Sequence, residues 1–148
     1  MKMQKLMSLI GLGVMLVFIQ FNVSGQKPEH PHYLHALSDL RAARWMIEHR
    51  SGDWKQTVDE VEAVKRIDEA INEIKKASID DRKDINDHPK VDEHPDHVGR
   101  LHAAAEFLTK AREDVNKDED NRFAQGLQDR ALKHISEAIR LTEKAIHN

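Results

Sequence analysis

The chain has 148 residues, 39% hydrophobic and 33% charged, a length that accommodates one domain with one core. Its 23 Lys+Arg are outnumbered by 26 Asp+Glu, so no basic surplus exists to neutralise the phosphates of a nucleic acid. It has no cysteine, which excludes disulfides and thiolate metal sites and leaves stability to packing.

The first 25 residues have the three parts of a secretory signal. Lys2 and Lys5 give a positive start, an apolar run extends from Leu6 to Phe21, and Val23 and Gly25 precede an expected cleavage ahead of Gln26. A retained membrane anchor is the competing reading, but a spanning helix needs roughly 20 apolar residues. This run has 16 and contains two glycines and Gln20. Cleavage removes two of the 23 basic residues and no acids, leaving 21 against 26 and a mature net charge of −5. Four of the five methionines go with the signal, so only Met46 remains. A periplasmic or secreted protein is expected, touching membrane only through an uncleaved signal.

Four helices follow. The spacing of Ala36, Leu37, Leu40, Ala43 and Ile47 predicts a first helix over about 32–49, with Pro31 suited to its first turn. Thr57 and Glu60 form a capping-box pattern ahead of the second helix. There Val61, Val64, Ile67, Ile71 and Ile74 repeat at three and four, beside Ala63, Ala70 and Ala77 at intervals of seven. A third helix, about 98–116, places Leu101, Ala104, Leu108, Ala111 and Val115 on its buried stripe. The fourth, about 122–147, uses Leu127, Leu132, Ile135, Ile139 and Ile146. No stretch alternates with period two, so no strand is predicted.

An internal repeat sets the expected architecture. Ala63–Ala77 aligns on Ala131–Ala145 without a gap, with eight of fifteen positions identical. The first helix matches the third through Leu34-His35-Ala36 with Leu101-His102-Ala103, and through Ala43-Arg44 with Ala111-Arg112. The lead-ins repeat too, as Glu29-His30-Pro31 and Glu93-His94-Pro95. Two duplicated hairpins, 32–78 and 98–147, should bury their apolar faces against each other as an all-α four-helix bundle. The linker, 79–97, is long for a bundle. It has room for a helical turn near Asp80–Asn86, and its length permits a crossover. Up-down-up-down order is the leading expectation.

That order would collect His30, His32, His35, His88, His94, His97, His102 and His147 at one pole, leaving His49 and His134 elsewhere. Imidazole and carboxylate together suit Zn²⁺, Cu²⁺ or Ni²⁺. His35 with Asp39, and His102 with Glu106, are four apart, so each pair projects to one side of its helix. The expected ligand set is His30, His32, His35, Asp39, His88, His94, His97, His102 and Glu106. Solvated surface histidines are the competing reading. His35 and His102 point away from the leucine stripes, and no Glu-x-x-His pair occurs on a helix, which argues against a buried di-iron centre. The aspartates of Ile79–Asp87 lack the glycine and distal glutamate of a calcium loop. Trp45 and Trp54 are expected to cover the far end of the bundle. No catalytic constellation is present, so an enzyme is not expected.

Through Asp68-Glu69-Ala70-Ile71, His134-Ile135-Ser136-Glu137-Ala138-Ile139 and the duplicated hairpin, the chain resembles the small histidine-rich metal-binding proteins of the bacterial periplasm. The resemblance covers about residues 30 to 147 and implies a four-helix bundle with affinity for divalent metals. Those proteins scatter histidines along their helices, whereas most here precede the first and third. The function expected is binding or buffering of a divalent transition metal at the histidine-rich pole. The alternative is a non-catalytic interaction bundle.

Overall fold

The structure is a computed structural model, described for residues 31–49, 55–77, 82–91, 96–117, 119 and 121–148. It contains four helices, α1 (Pro31–Glu48), α2 (Val58–Lys76), α3 (His97–Val115) and α4 (Arg122–Ile146). No strand occurs among the described residues. The signal-like segment, Trp54, His30 and His94 lie outside them.

Helix boundaries follow local chemistry. Pro31 opens α1, where its missing N–H would have no partner. The capping box of α2 is present, with Thr57 accepting from the Glu60 amide and the Glu60 carboxylate accepting from Thr57 N–H. Asp96 caps α3 through the Gly99 amide, and Asn121 caps α4 through the amides of Phe123 and Ala124.

The four stripes form one main core, and Ala77, Ala124 and Leu127 make a small second cluster. The most extensive interface joins α2 to α4, followed by α1 with α3, then α3 with α4 and α1 with α2. Helices α1 and α4, and α2 and α3, are therefore the diagonals of the bundle. Ala63, Ala70, Ala131 and Ala138 are fully buried, and small residues at that spacing let α2 and α4 approach closely. Val61, expected in this stripe, is 53% exposed. The burial arc of α2 is centred on Ala63, Ile67, Ala70 and Ile74, and Val61 lies about 200° around from Ala63.

The order of helix directions differs from the up-down-up-down expectation. Tyr33, at the start of α1, donates to Glu119 between α3 and α4 (3.0 Å). His97, at the start of α3, bonds Glu60 at the start of α2. Arg130 reaches Glu73 (2.9 Å), while Lys144 reaches Asp59 (2.9 Å). Together these contacts make α1 antiparallel to α3, α2 antiparallel to α4, and α2 parallel to α3. The directions run up, down, down, up, and the segment joining α2 to α3 is a crossover along the length of the bundle. Its described part, 82–91, holds a turn at Ile85–Asn86 and no helix. Ile85 and Val91 pack against the core margin, and Asn86 accepts from Arg44 (3.3 Å).

Burial also corrects the alignment of the hairpins. One offset of 68 residues pairs buried Tyr33 with Leu101, Ala36 with Ala104, Leu40 with Leu108 and Ile47 with Val115. The same offset pairs Ala63 with Ala131 and Ile67 with Ile135. The Leu34-His35-Ala36 match is one residue out of that register, about 100° on a helix. His35 with Asp39 and His102 with Glu106 are thus not equivalent pairs.

Two outcomes are expected. Spin labels at His35→Cys and His102→Cys should lie on the order of 20 Å apart, since the start of α3 sits beside the end of α1. A short distance typical of neighbours would restore the up-down-up-down order. Burial, and then the hydrogen bond and charge of Glu119, push the Tyr33 phenol above its ordinary value of 10.0. The folded chain then keeps this proton after the unfolded chain has released it, so the contribution to stability falls as pH rises past 10.0. Tyr33→Phe should flatten that decline and cost about 1–2 kcal/mol at neutral pH in denaturant titrations.

Candidate functional site

The crossover redistributes the histidines. His32 and His35 lie in the first turns of α1, at the end shared with the α3–α4 connection. The opposite end collects the end of α1, the starts of α2 and α3 and the end of α4. There His49 follows α1, His97 opens α3, His102 lies five residues further on, and His147 caps α4. His88 reaches the same end from the crossover, its ring 4.9 Å from Trp45 in the last turn of α1. The expected pole therefore loses His32 and His35 and gains His49. His30 and His94 fall outside the described residues. His134 sits near the waist.

Several of these imidazoles are engaged in holding the fold. The Glu60 carboxylate is fully buried. One of its oxygens caps the Thr57 amide and the other accepts from His97 Nε2, so one side chain ties the starts of α2 and α3 together. A carboxylate out of water needs such partners, and the amino end of α2 favours its charge. Trp45 stacks on His49, centroids 4.2 Å apart and 11° from parallel. His88 Nδ1 donates to the Pro89 carbonyl (2.8 Å), which leaves Nε2 as the lone-pair nitrogen of the neutral ring. The segment carrying His88 is fixed by its own turn, with Asp84 accepting from the backbone and side-chain amides of Asn86, each at 2.9 Å. At the waist, His134 Nδ1 lies 3.0 Å from the Glu69 carboxylate, which accepts from Arg66 (2.9 Å).

Others are open. His35 and His102 are exposed, and neither has a hydrogen bond or ion pair among the described residues. Asp39, four residues after His35, is half-buried. Burial pushes its carboxyl up, Lys110 pulls against that, Asp114 adds to it and His35 opposes it. The Lys110 ammonium disfavours a cation beside Asp39. Glu106, four residues after His102, is exposed, and the two line a shallow groove of about 480 Å³ with Ala105, Thr109, Lys110 and Glu113.

Of the expected ligands, the structure places His88, His97 and His102 toward one end and His32 and His35 at the other, with Asp39 and Glu106 near the midpoints of α1 and α3. Among the described residues, no three His, Asp or Glu side chains converge as a ready metal cage. Sequence reasoning left out Glu60 as the partner of His97 and His49 as a member of the end. For Glu60 the signal was the capping box, which places a carboxylate at the start of α2. No family model, curated protein or solved structure matches the chain.

His97→Ala should destabilise the bundle by about 1–3 kcal/mol, because Glu60 loses its side-chain partner while staying buried. Adding Glu60→Gln in that background should recover part of the loss in thermal melts. If the two effects simply add, the pair is not coupled.

Proposed function

We propose that this protein is an exported four-helix bundle that binds divalent transition metal ions at the end of the bundle formed around the start of α3. The observation that carries this reading is the gathering of His49, His88, His97, His102 and His147 at that end. Carboxylates accompany them, with Glu48, Asp59 and Asp96 on the same helix ends and Glu106 one turn beyond His102 on α3. Without thiolates or an accessible thioether pair, imidazole and carboxylate define the chemistry, and they suit Zn²⁺, Cu²⁺ and Ni²⁺. His88 fits a ligand role best within the crossover. Its tautomer is set by a backbone carbonyl, the arrangement that orients metal-binding imidazoles. The resemblance to histidine-rich periplasmic proteins and the signal-like first 25 residues agree with this reading.

Buffering of metal fits better than tight storage, because the side chains are dispersed over an open surface rather than enclosed. Binding weakens on acidification, as an imidazole must be neutral to ligate. The test is calorimetric titration of the mature chain with Zn²⁺, Cu²⁺ and Ni²⁺. Changing His49, His88 and His102 together to alanine should remove most of the binding, while His35→Ala should leave most of it. Equal binding by the triple variant and the natural chain would sink the proposal and favour a non-catalytic interaction bundle, with exposed Val58 and Val61 as part of its surface.

A further inference from the structure

The exposed face of α3 carries a stripe that the bundle itself does not use. Val98, His102, Ala105 and Thr109 follow one another at four, three and four residues, the spacing of a helix-pairing seam. Val98 is 46% exposed, and beyond His102 the stripe continues with the small residues Ala105 and Thr109. The Thr109 hydroxyl already donates to the Ala105 carbonyl (2.9 Å), so covering it strands no donor. Lys110 also lines the groove, one turn beyond Glu106, and its Nζ lies 5.3 Å from the centroid of the Phe107 ring. His102 and Glu106 flank Ala105 and face the same groove.

One chain thus offers one imidazole and one carboxylate here, whereas a zinc ion takes four ligands in tetrahedral array. A two-fold axis doubles any residue it relates, and a self-complementary contact repeats each residue on both sides. We propose that a divalent ion of the zinc type joins two copies of this chain through antiparallel α3 helices crossing near Ala105, held by His102 and Glu106 of each. Two imidazoles and two carboxylates complete the tetrahedron and neutralise the ion's charge. The small residues Ala105 and Thr109 let the helices approach, and Val98 is covered at the margin of the contact. A single helix pair buries less than the roughly 1,000 Å² of a stable interface, so dimerisation depends on the metal.

This inference rests on the metal-binding reading, and the experiment separates the two. The mature chain is examined by light scattering during chromatography, with EDTA and with rising ZnCl₂, alongside calorimetry for bound zinc. The expected result is a monomer in EDTA and a dimer at one zinc per two chains at this site. His102→Ala and Glu106→Gln should each remain monomeric in zinc, and both positions are exposed, so the fold should survive. Ala105→Arg, which keeps the ligands and blocks the approach, should also remain monomeric. His35→Ala should dimerise normally. Zinc binding without dimers, or dimers that persist in His102→Ala, overturns the inference and leaves the metal-binding reading standing. No zinc binding at all overturns both.

Discussion

Each buried stripe packs against its own duplicate, and the directions of the helices follow from that contact. Helix α2 meets α4 and α1 meets α3 over the two largest interfaces, and the buried residues of each pair are related by the same 68-residue offset. Alanines at intervals of seven give α2 and α4 matching flat faces, and such faces pack closest against each other. Antiparallel contact also sets opposite helix dipoles side by side. Once duplicates face one another antiparallel, α3 must start where α1 ends. The chain leaving α2 is then at the wrong end of the bundle and has to cross its whole length.

The crossover has consequences at both ends. At one, Tyr33 and Glu119 bury a hydrogen bond between α1 and the α3–α4 connection. At the other, Glu60 and His97 tie two helix starts together. Between them Arg44 bonds Asp68 on α2 (2.8 Å) and Asn86 on the crossover, so one guanidinium links the hairpin to the strap. A flank of acids on α2 faces bases on α4, with Glu73, Glu69 and Asp59 meeting Arg130, His134 and Lys144. Such exposed pairs add little each, but they favour the antiparallel register that the alanines require.

Six of the described histidines fall into two groups that composition cannot separate. His49, His88, His97 and His134 have ring, hydrogen-bond or ion-pair partners that make them part of the fold. His35 and His102 stand in solvent with a carboxylate four residues on. The candidate ligand pairs were legible because a four-residue spacing puts two side chains on one face of any helix. Which pairs share an end was not, because both topologies satisfy the same helical stripes. The length of the linker was the available signal. Nineteen residues are far more than a turn between neighbouring helix ends needs, and enough to cross a helix of about 28 Å.

Four helices, the capping box of α2 and nearly all of the buried faces were legible in the sequence, since these depend on neighbours within one or two turns. Ala63, Ile67, Ala70 and Ile74 lie inside for reasons visible in their spacing. Val61 fits an apolar repeat yet lies outside, because the width of a buried arc is set by the partner helix. The direction of α3, and with it the company each histidine keeps, is set by tertiary contacts. That choice belongs to contacts between residues far apart in the chain, such as Tyr33 with Glu119 and Glu60 with His97, which no local pattern encodes.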